Sequence, residues 1–347
     1  MVLERFLLGA VVVLSAACLF IAITSLDGDE PVTPLAQAQT GSLSLNPLGK
    51  SAEQRGLYLT APALAKLDRD RGIEEFIAQM REVGLNAVVV DVKEMGGGVT
   101  YATDLPLVRE IGALAGQLDL PRLVALFSAR GIYTIARQVA FNDPKLAKYL
   151  KSSIAPWVSP ADSRVVEYNL ALAEEVLALG FDELQFDYLR YPDDGKLAPI
   201  YESRYAAIRG FLQLARERLD GKISIDVFGR TLWEWNRERI DPIGQQLEEL
   251  APYVDWLSPM VYPSHYEQAL REKPYETVKR ALEAGLNRGL KLRPFLQAFR
   301  LAVPAGMSYH DYIRAQVRAA SELGVKSYLF WNPRSDYADL FAALRGN

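Results

Sequence analysis

The chain has 347 residues, half of them hydrophobic and 24% charged, with a formal net charge of −4. That composition supports a sizeable packed core and excludes global disorder. Setting aside Arg5 and the N-terminal acids Glu4, Asp27, Asp29 and Glu30 leaves 38 bases against 39 acids, with no basic run, which argues against a nucleic-acid partner.

Residues 6–23 (FLLGAVVVLSAACLFIAI) form an uncharged run of 18 residues. It is long for a signal-peptide core and close to the minimum for a membrane span. Ala36-Gln37-Ala38 resembles a cleavage site but lies well beyond the run. The expectation is an uncleaved anchor over residues 1–26, with secretion after signal cleavage as the alternative. Arg5 on the short side and Asp27, Asp29 and Glu30 on the other fit an extracytoplasmic placement of the remainder. Residues 27–54, rich in Gly, Ser, Pro, Ala and Gln, read as a linker. The only cysteine is Cys18, and His265 and His310 are the only histidines. Disulfides, cysteine–metal clusters and a three-histidine zinc site are therefore excluded from the rest, and no metal or cofactor is expected.

From Arg55 onward short β-type runs alternate with helical ones. Strands are predicted at 56–61, 87–93, 132–139, 183–189, 223–228, 254–262, 292–299 and 326–331. Most are near-continuous apolar runs, as in a parallel sheet covered by helices on its outer face. Between them, Ile73, Phe76, Ile77 and Met80 repeat at helical spacing. Segments 164–179 and 201–219 behave alike, and Ser308 with Asp311 forms a capping-box-like helix start. Eight strand–helix repeats over residues 55–347 predict an α/β fold, a (β/α)8 TIM barrel. A doubly wound sheet is the runner-up, but no GxGxxG follows the first strand.

In such a barrel the C-terminal strand ends carry the chemistry. Strand two ends in Asp91, Lys93 and Glu94, with simple alternation placing Asp91 and Lys93 on one face. Strand three carries Arg137. Strand four (FDELQFDYLRYP, 181–192) offers Gln185 and Asp187, then Arg190 and Tyr191. Strand five gives Asp226, then Arg230, Trp233 and Glu234. Strand six ends in Tyr262 and His265, strand seven in Gln297, and strand eight in Trp331 and Asn332. Each could be structural alone: Asp91 could pair with Lys93, and Arg190 could neutralise Asp187. As a set they are harder to dismiss, because unpaired buried acids are costly. Aromatic surfaces among polar groups suit a sugar ring.

Two carboxylates across a cleft, without a useful cysteine or a phosphate loop, point to glycosidic bond cleavage. Asp187 is the expected nucleophile or charge stabiliser and Asp226 the acid/base, with Asp91 and Glu234 in reserve. The expected partner is a polysaccharide or oligosaccharide, and the membrane through the N-terminal segment. A non-catalytic glycan-binding barrel is one alternative. A lyase or aldolase forming a Schiff base on Lys93 is another.

GFDELQFDYLRYP, with RGLYLTA, GLNAVVVDVKE, DVFG and SPMVYPSHY, resembles a bacterial glycoside hydrolase-like family formerly catalogued only as a domain of unknown function. The resemblance spans about residues 55–340. It implies a TIM barrel distantly related to α-amylase, with the strand-four aspartate, Asp187, in the catalytic position. The amylase pattern also has a glutamate after strand five, where this chain has Asp226 and, further along, Glu234. Its strand-seven His-Asp is replaced by Gln297-Ala298-Phe299. An amylase substrate therefore does not carry over.

Overall fold

A computed structural model describes residues 50–193 and 202–345. The expected anchor (1–26) and all but the end of the expected linker lie outside the described residues. Eight parallel strands form the frame: β1 (Arg55–Leu59), β2 (Ala87–Lys93), β3 (Tyr133–Val139), β4 (Glu183–Asp187), β5 (Lys222–Phe228), β6 (Trp256–Met260), β7 (Phe295–Gln297) and β8 (Tyr328–Trp331). Each pairs with the next in sequence order, and β1 also pairs with β8, which closes the sheet into a barrel. The eight runs read from sequence are all strands: β2 has the expected bounds, β1 and β5 begin one residue earlier, and the other five are shorter by one to five residues.

The helices form where one apolar stripe can be buried against the strands. Helix Ile73–Glu82 buries Ile73, Phe76, Ile77 and Met80, with Glu74 and Glu75 in its first turn and Arg81 in its last, each favoured by the helix dipole. Helix Ser163–Ala178 is capped by Asp162, whose side chain accepts from Arg164 N. Ser308 caps helix Tyr309–Glu322 by accepting from Asp311 N at 3.1 Å, as its sequence pattern predicts.

Two features were not expected. A pair of short strands, Val99–Tyr101 and Leu114–Leu118, is inserted after β2, the first running antiparallel to it. The turn leading into them is tight: Gly97 has φ +79°, and a Cβ there would sit 2.1 Å from Asp143 Oδ1, so only glycine fits. The second feature is a bulge in β2. Asp91 pairs with Arg137 of β3, but Lys93 pairs with Gln138, so two β2 residues span one step of β3. The bulge turns Lys93 to the opposite face from Asp91.

The barrel interior is layered. At its floor Arg293 and Glu183 form a fully buried ion pair, with Tyr133 donating to Glu183 Oε2 at 3.0 Å and Ser224 to Oε1 at 2.5 Å. Above it, Gln185 Nε2 donates to Ser258 Oγ at 3.2 Å. Asp91 of β2, Asp187 of β4 and Asp226 of β5 lie at the top.

Candidate active site

Arg137 is the hub of the barrel mouth. Its Nε and Nη2 donate to Asp187 Oδ2 at 3.0 and 2.5 Å, and its Nη1 donates to Asp91 Oδ1 at 2.5 Å. Tyr58 of β1 donates its hydroxyl to the other Asp91 oxygen. Asp187 Oδ1 accepts from Tyr188 N at 2.6 Å. Tyr188 holds φ +51°, a left-handed conformation that non-glycine residues rarely adopt and that clusters at functional sites. A chain of hydrogen bonds thus runs from Tyr58 through Asp91 and Arg137 to Asp187, across four consecutive strands.

Asp226 completes the group on different terms. Its Oδ2 is 3.9 Å from Arg137 Nε, beyond hydrogen-bond reach, and its buried Oδ1 has no partner among the described residues. Burial and then the negative charge of Asp187 push its carboxyl well above the usual range, outweighing Arg137 and Arg293. Burial also raises Asp91, against the opposing pull of Arg137. Arg137 itself is disfavoured by burial, but Asp91 and Asp187 more than compensate and hold it charged. The site therefore combines a carboxylate supplied with the donor set of an anion (Asp187) and a neighbouring carboxyl biased toward its protonated form (Asp226).

An aromatic wall stands beside the acids. Tyr262 stacks on Trp331 at 5.6 Å and 21°, Phe299 meets Trp331 edge-on at 5.2 Å, and Tyr58 tilts against it at 6.3 Å. His265 lies exposed at the rim, edge-on to Tyr262 at 5.3 Å. Tyr262 is close enough to the acids that Asp226 and Asp187, after burial, raise its hydroxyl further.

Several expected site residues are placed elsewhere. Lys93 is fully buried on the outer side of β2, ion-paired with Asp143 at 2.8 Å and 5.1 Å from the Tyr168 ring centroid. It neither pairs with Asp91 nor faces the mouth, so a Schiff-base role has no access. The neutraliser of Asp187 is Arg137, not Arg190. Arg190 lies between the rings of Trp157 and Phe228, 4.6 and 4.5 Å from their centroids, and pairs with Asp193 at 3.0 Å. Gln185 is a layer too deep. Gln297 is consumed by the backbone: its Nε2 donates to Phe299 O and Leu301 O, and its Oε1 accepts from Ser264 N. Asn332 likewise serves Ala298 O, Asp336 O and Arg334 N.

The residues after β5 also fall short of the acids. Glu234 is exposed and paired with Arg237 at 2.6 Å, so it takes no part in the carboxylate cluster. Arg230 pairs with Asp241 at 3.0 Å, and Trp233 packs edge-on against Tyr266. Tyr191 is half-buried beside a separate hollow.

One mouth residue, Tyr58, had no place among the candidates, and a second, Glu94, was named at the end of strand two without a role. Tyr58 reads in sequence as one more apolar strand residue. Glu94, just past β2, is half-buried and raised by burial and by Asp91. Among the described residues no group of His, Cys, Asp and Glu is arranged to hold a metal ion.

Comparison with known proteins agrees with this architecture. The structure resembles the PgaB (BpsB) glycoside hydrolase domain of Bordetella bronchiseptica, with a TM-score of 0.63 and 16% identity over 84% of this chain and 98% of that one. It also resembles an endo-1,4-β-D-mannanase of Thermotoga petrophila (0.55, 11%, 85% and 98%) and a chitinase of Pseudoalteromonas aurantia (0.52, 10%, 83% and 97%). At these identities the likeness establishes the barrel fold. No curated protein matches the sequence. A family model described as "Putative glycosyl hydrolase domain" matches residues 56–337, which spans every barrel strand and every acid of the mouth, and the chain belongs to that family.

Proposed function

We propose that this protein hydrolyses glycosidic bonds in a polysaccharide, with Asp187 and Asp226 as the working carboxyl groups. The observation that carries the assignment is their inequality: Arg137 donates twice to Asp187, whereas Asp226 is buried and raised, lies 3.9 Å from Arg137 through Oδ2, and has no hydrogen-bond partner for Oδ1 among the described residues. A raised carboxyl next to one that accepts a guanidinium suits a division of labour in which the raised one gives the proton.

In the first step Asp226 gives its proton to the glycosidic oxygen as the C–O bond breaks, and an oxygen of Asp187 bonds to, or electrostatically supports, the anomeric carbon. Water, deprotonated by the Asp226 carboxylate, then completes hydrolysis and restores both groups. Both acids sit within 3.9 Å of the same Arg137 Nε. Their Oδ2 atoms are therefore no more than about 7 Å apart, which leaves little of the roughly 6.5–9.5 Å range of inverting pairs and favours retention. Trp331, half-buried and backed by Tyr262, offers an apolar surface to a sugar ring. The apolar run at residues 6–23 supports reading the enzyme as extracytoplasmic, anchored or secreted, and with that reading cell-envelope or extracellular polysaccharide as the substrate class.

The test is turnover of a panel of envelope and extracellular polysaccharides by wild type and Asp187→Asn, with the anomer first released read by NMR. Equal turnover by both removes Asp187 from the mechanism. Binding without turnover by wild type replaces the hydrolase with a glycan-binding barrel.

A further inference from the structure

A second hollow, of about 350 Å3, opens on the same face of the barrel, between the segment following β3 and the residues following β4. Its volume lies within the roughly 300–1,000 Å3 typical of small-ligand sites. Ile154 and Tyr191 give it an apolar surface, Ser152, Ser153 and Ser159 supply hydroxyls, and Lys151 and Asp162 add one charge of each sign. Ser152 Oγ donates to Trp157 O at 2.7 Å, and Ser159 Oγ accepts from Ala161 N, which leaves its own proton to give. Ser153 is exposed, and its hydroxyl makes no hydrogen bond among the described residues. Apolar patches set among hydroxyls match a sugar ring, whose faces are C–H and whose edge is O–H.

The hollow is joined to the acids by a short run of contacts. Tyr188 follows Asp187 directly, and its ring tilts against Trp157 at 5.7 Å. Arg190 covers the same Trp157 ring at 4.6 Å. The next residue along each segment, Val158 after Trp157 and Tyr191 after Arg190, lines the hollow. The residues that flank the nucleophile position and those that line the hollow are therefore chain neighbours on two adjoining segments.

We propose that this hollow is an outer subsite for a neutral sugar unit of the same polysaccharide, so that the enzyme grips an internal stretch of chain rather than a free end. The proposal rests on the hydrolase reading for its catalytic readout, but not for binding. The experiment uses the full chain with manno-, galacto- and chito-oligosaccharides of two and six units, comparing wild type with Ser153→Trp, which fills the hollow from its rim. Tyr191→Ala serves as a second variant, and circular dichroism confirms that both fold.

The expected result is at least a tenfold fall in the ratio of kcat/KM for six units over two units, with six-unit binding weakened to match. An unchanged ratio in both variants, with wild type active, overturns the subsite and leaves the hydrolase standing. If wild type cleaves none of the sugars yet binds a hexamer, and Ser153→Trp loses that binding, the subsite stands and the hydrolase reading falls. If no hexamer binds wild type, the subsite is overturned.

Discussion

Replacing Arg137 with Met is the most direct perturbation of the mouth, because one guanidinium serves three acids. It donates to Asp187 and Asp91 at 2.5 to 3.0 Å and lies 3.9 Å from Asp226, and all four side chains are nearly inaccessible to water. Removing one partner of a buried pair typically costs about 3–5 kcal/mol, since the remaining charge stays desolvated. At roughly 2–4 °C per kcal/mol for a domain of this size, Tm at pH 7 should fall by on the order of 10 °C. The pH dependence has a defined sign. Asp91 and Asp226 are already raised in the folded protein, and Arg137 opposes both shifts. Without it both rise further above an unfolded value near 3.9. A carboxyl raised by folding contributes stability below its unfolded pKa and loses it as pH rises. The deficit of the variant should therefore be small near pH 4 and grow toward pH 8. Urea unfolding across that range measures it. A loss below about 1 kcal/mol at pH 7, or one constant with pH, would refute the role of Arg137 as the cation that makes this cluster tolerable.

Asp226→Asn should abolish turnover by 10²-fold or more, the usual scale for losing a positioned acid. The same variant should be as stable as wild type or more so above about pH 5, because the cost of burying an ionisable group beside Asp187 disappears; a lower Tm with retained activity contradicts both halves. Lys93→Met should destabilise the fold by about 3–5 kcal/mol by stranding Asp143, and borohydride should trap no sugar on wild-type Lys93; mass-shifted Lys93 peptide would restore the Schiff-base route. Trp331→Ala should raise KM roughly 2- to 13-fold, the worth of about 0.5–1.5 kcal/mol of stacking, while kcat changes little; a loss confined to kcat would move Trp331 from sugar binding to chemistry.

The strand frame was legible because buried parallel strands advertise themselves as apolar runs, and Asp187 and Asp226 because acids interrupt those runs at their C-terminal ends. What sequence could not give was who faces whom. Arg190, three residues from Asp187, looked like its partner, yet strand register delivers Arg137 from 50 residues away. Alternation put Lys93 beside Asp91, but one bulged residue reverses a side chain, and a bulge leaves no mark on composition. Gln297 and Asn332 stand at polar strand ends, which in a barrel suggest function. They are instead occupied with loop carbonyls and amides, which must be satisfied wherever a strand stops inside a protein.

The same requirement separates Asp226 from those residues. Among the acids and amides of the mouth, Asp91 has Tyr58 and Arg137, Asp187 has Arg137 and the Tyr188 amide, and Gln297 has backbone on both ends; the buried Ser264 Oγ and, a layer down, Gln185 Oε1 have no partner among the described residues. Asp226 Oδ1 has none among the described residues, and the acid whose charge raises it most, Asp187, is well supplied with donors. An apolar or amide side chain in its place would remove both the desolvation cost and the repulsion from Asp187. A fold that satisfies Asp91 and Asp187, yet gives Asp226 only a 3.9 Å approach to Arg137 and leaves its Oδ1 without a hydrogen-bond partner, carries there a cost that an amide would avoid. Donation of its proton to a bound glycosidic oxygen is a use that this arrangement permits and that an amide would not.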